Sequence, residues 1–362
     1  MALIIYPLQD IVCNRNDSEC LRVKAFYAEP KDSLDVVVMG ASEVLSGYVA
    51  GEAYKEAGFT SFPYSFTINS VVLWKYELRD IERTQHPKLL IIETNGALYE
   101  DDEYIHSDHC LDTLADNMPM SKNRIDLAFD LSNHPLERLF PIIKYHYKWS
   151  EIQDLDENNV LMLRKQGYAR LRGAQSFLYR KEKPSDTFWE TDDSTANLNK
   201  DAEAALEDFL KECKKSGIEN ILFVEYPHLV DEEDCYRRQQ RANRAAQMIQ
   251  DAGFEYVSFI DDLDEIGLDP VADFADSDHM SAPGQKKFTR YLTKFIMDRY
   301  GIEPRPQTAE NKARWEDSAA LTDSYYALYD SYTKAHSDDP YKKAEFLEAD
   351  NVRTMEELEK YK

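Results

Sequence analysis

The sequence predicts an α/β protein, a three-layer sandwich in which helices cover both faces of a central parallel sheet. Short apolar runs rich in β-branched residues recur along the chain, a pattern typical of strands buried on both faces. Helix-like stretches separate these runs, and several of them end at a glycine. Strand, helix and strand in this order build βαβ units, whose strands lie parallel.

The predicted strands and helices alternate along the chain. Strands are expected at 34–39, 87–93, 220–225 and 256–260, and helices at 71–83, 201–216, 236–252 and 283–299. One further helical stretch follows the first strand and ends near Ala57, just before Gly58. The last helix begins near Pro283, because proline is favoured at a first helical position.

The chain divides into a central domain with additions at both ends. We assign residues 26–300 to the α/β domain, with a less regular insertion at about 100–200. Residues 301–362 are polar and predict a helical tail. Residues 1–25 form an N-terminal segment whose apolar start is too short to be a signal peptide or a membrane span. That start is either the remnant of a trimmed membrane anchor or an ordinary short strand.

The composition is that of an acidic globular protein. Of the 362 residues, 43% are hydrophobic and 12% aromatic, which is enough to build a buried core. The net charge of −25 repels phosphate backbones and therefore excludes nucleic acid as a partner. The five cysteines show no zinc spacing, and no glycine-rich phosphate loop follows the first strand. We therefore expect neither a metal nor a nucleotide cofactor.

Ser42 is the first candidate for chemistry. It follows the first strand through Gly40 and Ala41, and so lies at the carboxyl edge of the sheet, where open α/β folds place their active sites. A helix begins here, and its free N–H groups stabilise negative charge. Exposure and nearby donors are what a nucleophilic serine requires. The alternative is that Ser42 only caps the helix.

Asp276 and His279 are the second candidates. They lie between the last predicted strand and the last predicted helix, again at the carboxyl edge. At this spacing one carboxylate can hold the Nδ1–H of the imidazole while Nε2 faces a serine. A solvated surface histidine is the alternative. We predict a triad in which Ser42 is the nucleophile, His279 the base and Asp276 the residue that orients it.

These two motifs, Gly40-Ala-Ser42 and Asp276-Ser-Asp-His279, resemble those of the SGNH (GDSL-like) hydrolase superfamily. Residues 26–40, 87–93 and 273–289 are similar to the bacterial branch related to the D-alanyl-lipoteichoic acid biosynthesis protein and the alginate-type O-acetyltransferases. The resemblance implies a serine esterase or O-acyltransferase that forms an acyl-Ser42 intermediate. It also implies acylated, chiefly acetylated, cell-surface or extracellular glycans as substrates, and a membrane-anchored protein outside the cytoplasm.

The chain departs from this family pattern around the expected oxyanion hole. Glu43 follows the nucleophile where the branch often has histidine, and no glycine lies near position 65. The candidate replacement donors, each of which has a plain turn role as its alternative, are the backbone N–H of Ser65 and the side chains of Asn69 and Asn95. Loss of one such donor costs about 2.7–4 kcal/mol. The second hypothesis is therefore a weak or inactive chain that serves as a binding or scaffold partner of a membrane-bound O-acyltransferase.

Aromatic and basic side chains of the insertion bear on the substrate. Those suited to stacking on sugar rings, unless they simply pack within the insertion, are Tyr145, Tyr147 and Trp149. The cations available to an anionic polymer are Arg124, Lys144 and Lys148. Because the net charge is −25, we expect a neutral or modestly charged acylated glycan rather than a strongly anionic one.

Overall fold

Five parallel strands form the centre of the protein, in a computed structural model that describes residues 18–145, 172–174 and 187–335. In chain order the strands are β1 (Val36–Gly40), β2 (Ser61–Ser65), β3 (Leu89–Glu93), β4 (Asn220–Glu225) and β5 (Glu255–Ser258). They lie side by side in the order β2-β1-β3-β4-β5, and every neighbouring pair is parallel. The predicted α/β protein with a central parallel sheet is confirmed.

Helices connect these strands and flank the sheet. In chain order they are α1 (Ser18–Ala28), α2 (Ser42–Gly47), α3 (Ala50–Ala57), α4 (Val71–Thr84), α5 (Asp102–Ile105), α6 (Asp108–Asn117), α7 (Lys122–Leu131), α8 (Pro135–Leu139), α9 (Pro141–Lys144), α10 (Lys200–Cys213), α11 (Glu233–Asp251), α12 (Leu263–Ile266), α13 (Ala282–Tyr300) and α14 (Ala309–Ala335). Because of this cover, every residue of β1, β2 and β3 is buried. Such burial on both faces explains the continuous apolar runs of β1 and β3.

β2 is a strand that the sequence analysis did not predict. Its sequence, Ser-Phe-Pro-Tyr-Ser, has no continuous apolar run, and Pro63 lacks the N–H that a central strand needs. The sheet accommodates Pro63 because β2 lies at its edge, with β1 as its one neighbouring strand. An edge strand pairs on one side only, so the missing N–H of a proline can lie on the side that has no neighbouring strand.

The single helix predicted to end near Ala57 is two helices, α2 and α3, with a break at Tyr48 and Val49. Both residues of the break have extended backbone angles. The N–H of Val49 donates to the hydroxyl of Thr289 at 3.0 Å, so α13 supplies the hydrogen bond that a continuous helix would have made. The break thereby fixes α13 against the short helix that begins at Ser42.

The helical part of the C-terminal tail, α14, is anchored to the α/β domain by Trp315. This side chain is fully buried and stacks on Tyr54 of α3, with 5.3 Å between the ring centroids. The guanidinium of Arg172 lies 3.5 Å from the Trp315 ring centroid. Residues 1–17 and 336–362 lie outside the described residues. Of the helices described, none is both long enough and apolar enough to cross a bilayer.

Candidate active site

Ser42 follows β1, next to the point where the strand order of this doubly wound sheet reverses. In sheets with this strand order, ligands bind outside the carboxyl ends of the strands at the switch point between β1 and β3. The N-cap of α2 is Ala41, which makes no side-chain capping bond, and Ser42 is the first helical residue. The capping role for the Ser42 hydroxyl is therefore wrong. Ser42 is half-buried at this edge of the sheet.

The turn into Ser42 requires glycine at position 40. A Cβ atom on Gly40 would lie 2.6 Å from Cγ2 of Val44 and 2.8 Å from Cβ of Glu93. Both distances are shorter than real Cβ contacts allow. The absent side chain therefore lets the end of β1 approach the end of β3 closely, which brings Ser42 to the switch point.

Asp276 and His279 are paired in the loop before α13. Oδ1 of Asp276 lies 2.7 Å from Nδ1 of His279 and also accepts the backbone N–H of His279 at 2.8 Å. The loop is closed by a bridge between Phe274 and Met280, which flank the pair. With the carboxylate ionised, Nδ1 carries the proton and Nε2 is the basic atom, as a general base requires.

The surroundings of His279 favour its protonated form. Burial lowers the pKa of the imidazole, but the hydrogen bond and charge of Asp276 raise it, and the charges of Glu43 and Asp278 add to this. The net pKa of His279 lies above its ordinary value of 6.5. The candidate base therefore becomes neutral at a higher pH than an ordinary histidine.

Glu43 interacts with both Ser42 and His279. The hydroxyl of Ser42 donates to Oε2 of Glu43 at 3.5 Å. The other carboxylate oxygen of Glu43 accepts a hydrogen bond from the side-chain amide of Asn95. Burial raises the pKa of Glu43, the charge of His279 lowers it, and the net shift is upward.

The three predicted oxyanion donors take different places. Ser65 is buried at the end of β2, opposite Gly40 in the strand register. Asn69 is fully buried and does not reach the site, because its amide nitrogen donates to the carbonyl of Gly40 at 3.0 Å and to both carboxylate oxygens of Glu77 at 3.0 and 3.1 Å. Both amide hydrogens of Asn69 are thus engaged beneath the Ser42 turn, as a structural support. Asn95 is half-buried, and its side-chain amide already donates one hydrogen to Glu43, the residue after Ser42.

A small polar cavity adjoins this site, and the sequence analysis did not find most of its lining. It measures ≈ 10 Å³ and is lined by Glu43, Glu93, Asn95, Leu98, Glu225, Tyr226, His228, Arg238 and Asp278. Glu93 and Glu225 are the last residues of the neighbouring strands β3 and β4. The signal was present in the sequence, because two apolar strands each end in glutamate at the carboxyl edge.

The insertion side chains proposed for substrate binding are largely engaged within the protein. Tyr145 is buried and its hydroxyl donates to Asp116 at 3.0 Å, so this ring packs rather than faces a sugar. Arg124 is buried and donates to two backbone carbonyls, and Lys144 pairs with Asp112. Tyr147, Lys148 and Trp149 lie outside the described residues.

Within the described part of the chain, no group of three or more His, Cys, Asp or Glu side chains is arranged to hold a metal ion. Comparison with known proteins adds no relative, because no family model and no curated protein matches the chain. The resemblance to SGNH hydrolases therefore depends on the motifs around Ser42 and His279 themselves.

Proposed function

We propose that the protein is a serine esterase or O-acyltransferase of the SGNH type. The observation that carries this proposal is the 2.7 Å contact between Asp276 and His279, formed at the same sheet edge as Ser42. A carboxylate that orients an imidazole, with a serine at the same edge, is the chemistry of acyl transfer. The geometry of the turn at Gly40, which needs the absence of a side chain, adds support.

The reaction proceeds in two steps. The side chain of Ser42 first turns from Glu43 towards His279, whose Nε2 takes the hydroxyl proton as Oγ attacks the ester carbonyl. The tetrahedral intermediate then collapses, the alcohol leaves with the proton from His279, and the acyl group remains on Ser42. Water or a sugar hydroxyl then attacks the carbonyl of acyl-Ser42 as His279 takes its proton. The second tetrahedral intermediate collapses by breaking the bond between Oγ of Ser42 and the acyl carbon, His279 returns the proton to Oγ, and the free acid or the new ester leaves. One amide hydrogen of Asn95 is donated to Glu43, and the other is the proposed side-chain donor for the oxyanion in both steps.

Hydrolysis of short aryl esters tests the proposal. We expect activity in the wild-type protein and its loss in Ser42→Ala and His279→Ala. Ser46→Ala is a matched control, because Ser46 lies one helical turn further and its hydroxyl bonds only to helix carbonyls. His86→Asn is the control for the base. His86 also pairs with a carboxylate, that of Asp32 at 2.8 Å, but this pair is exposed and includes none of the proposed triad residues. Equal activity in Ser42→Ala and Ser46→Ala would refute acyl-Ser42 chemistry.

We further propose a neutral or weakly charged acetylated glycan as substrate, outside the cytoplasm, for a membrane-anchored form of the protein. Support comes from the net charge of −25 and from the engagement of Arg124 and Lys144 within the protein. Acetate release from acetylated xylan and from an acetylated anionic polymer compares the two classes. Faster release from the anionic polymer would overturn this preference.

The second candidate is an inactive SGNH-like partner of a membrane-bound O-acyltransferase. It is favoured by the hydrogen bond of Ser42 to Glu43 and by the engagement of both amide hydrogens of Asn69. If neither aryl esters nor acetylated glycans release acid, this candidate replaces the first. Its own test is retention of a membrane-bound O-acyltransferase by the immobilised protein.

A further inference from the structure

An exposed tryptophan lies on the loop that leads into α10. Residues 187–199 form this loop, which contains neither helix nor strand. The side chain of Trp189 is 46% exposed, and that of its neighbour Phe188 is 48% exposed. Two adjacent aromatic side chains in solvent forgo the burial that stabilises such residues elsewhere in the protein. This pair is therefore a candidate binding surface.

Hydrogen bonds to α11 hold the loop in place. The side-chain amide of Asn243 donates to the carbonyl oxygens of Asp192 and Ser194 at 2.7 and 2.8 Å. The hydroxyl of Tyr236 donates to the carboxylate of Asp192 at 3.0 Å, and the side chain of Gln240 donates to the hydroxyl of Ser194 at 2.8 Å. A surface that is fixed before binding loses little conformational entropy when a ligand docks on it.

Trp189 is held through both its backbone and its ring. Its backbone N–H donates to the carbonyl oxygen of Val230 at 2.7 Å. Its ring centroid lies 5.5 Å from that of Tyr236, with 31° between the ring planes. The indole therefore packs on Tyr236, while nearly half of the Trp189 side chain remains in solvent.

The segment that holds Trp189 also holds the loop of the candidate base. This segment is residues 229–231, directly after the first turn beyond β4. The N–H of Leu229 donates to the carbonyl oxygen of Ser277 at 2.8 Å, and the hydroxyl of Ser277 donates to Asp231 at 2.8 Å. Because residues 229–231 contact both loops, the exposed tryptophan lies beside the candidate active site.

The charged neighbours of the aromatic pair restrict the kind of ligand. Glu190 and Asp193 are exposed on the same loop, and their carboxylates repel phosphate groups and anionic lipids. Charged residues are also depleted at the centre of protein interfaces, which disfavours a protein partner. An indole offers a flat apolar face, and carboxylates accept hydrogen bonds from hydroxyl groups. A neutral sugar ring matches both, because it has an apolar C–H face and hydroxyl groups around its edge.

We propose that Trp189 is the stacking platform of a sugar-binding subsite beside the candidate active site, with a neutral polysaccharide as its ligand. The inference rests on the proposed function and supplies the aromatic contact that the buried Tyr145 does not offer. One sugar of the chain stacks on the indole, and its hydroxyl groups bond to the carboxylates of Glu190 and Asp193. The acylated sugar that reacts lies further along the chain, towards Ser42.

Binding is measured without turnover, using unacetylated xylohexaose and cellohexaose as neutral probes and hexagalacturonate as the anionic probe. In ¹H–¹⁵N NMR spectra the indole N–H signal of Trp189 is the one absent from Trp189→Ala, and the neutral probes should shift it. Trp189→Ala should weaken their binding by about tenfold, and Trp189→Tyr, which keeps a ring, should weaken it less. Phe129→Ala is the matched control, because Phe129 is a 60% exposed aromatic residue on α7, outside the loops around Ser42 and His279.

Turnover distinguishes this inference from the proposed function. With acetylated xylan, Trp189→Ala should raise KM by about tenfold and leave kcat unchanged, and hydrolysis of short aryl acetates should not change. If aryl esters are hydrolysed but neither neutral probe shifts the Trp189 signal, the inference fails and the esterase stands. If the neutral probes bind through Trp189 but no ester is hydrolysed, the sugar-binding subsite stands and the esterase fails.

Three further results would overturn the subsite. The first is equal affinity of the wild type and Trp189→Ala for both neutral probes. The second is tighter binding of hexagalacturonate than of either neutral probe. The third is cosedimentation with phosphatidylglycerol vesicles that is lost in Trp189→Ala and kept in Phe129→Ala, which would assign the exposed ring to a membrane surface instead.

Discussion

Asp276 binds His279 at two points, through the backbone N–H at 2.8 Å and through ring Nδ1 at 2.7 Å. The first contact fixes the loop, and the second fixes the ring and its tautomer. A single carboxylate oxygen thus determines both where the candidate base lies and which ring nitrogen carries the proton.

The first prediction concerns the pH dependence of activity. Because Asp276 raises the pKa of His279 above 6.5, activity should rise with pH through a midpoint above that value. Asp276→Asn should lower kcat by about 10²–10⁴-fold and move the midpoint to lower pH, as measured by kcat/KM profiles. Asp32→Asn, which breaks the exposed pair with His86, is the control and should change neither. A midpoint that stays in place in Asp276→Asn would show that this carboxylate does not set the pKa of the base.

Stability should depend on pH through Glu77. Burial raises the pKa of this carboxyl to about 8, against an ordinary value of 4.5. Because the pKa of Glu77 is higher in the folded than in the unfolded state, its protonated form contributes to the free energy of unfolding. This contribution is complete below pH 4.5 and is lost as the pH rises through about 8. Glu77→Gln, which mimics the neutral acid, should match the wild type near pH 5 and exceed its free energy of unfolding by a few kcal/mol near pH 9. Urea unfolding at both pH values measures this, and a difference independent of pH would contradict it.

The sequence predicted the sheet because buried parallel strands show themselves as apolar runs, as in β1 and β3. It did not predict β2, whose Pro63 is acceptable only at a sheet edge, a position that local sequence does not encode. It placed Ser42 and Asp276–His279 at one edge because each follows the carboxyl end of a predicted parallel strand. It could not show that Asn69 faces Glu77, because the direction of a buried amide depends on which groups packing brings beside it.

The third prediction concerns the turn before Ser42, the proposed nucleophile. Gly40→Ala should lower the free energy of unfolding by about 1–3 kcal/mol, because the new methyl group meets Val44 and Glu93. It should also displace Ser42 and reduce aryl-ester hydrolysis. Gly217→Ala is the matched control, because its Cβ would meet only a flexible Glu82 oxygen at 3.2 Å. If both variants unfold at the same urea concentration, the close approach at Gly40 is not a constraint.

The fourth prediction tests the attachment of α14. Trp315→Ala removes a fully buried ring that contacts Tyr54 and Arg172, and should cost about 3–5 kcal/mol in urea unfolding. Trp189→Ala is the control, because this ring is 46% exposed. A helix that only lies loosely on the surface would give equal, small changes in both variants.

Between β3 and β4 the chain runs through residues 94–219 before it returns to pair with the neighbouring strand. Closing so long a connection costs chain entropy before the new contacts repay it, and parallel pairings of this kind form slowly. The half of the sheet that holds Ser42 is built from local βαβ units, whereas Asp276 and His279 arrive only after β4 has joined β3. During refolding, the proposed esterase activity should therefore appear later than secondary structure, and its recovery would report the completion of the fold.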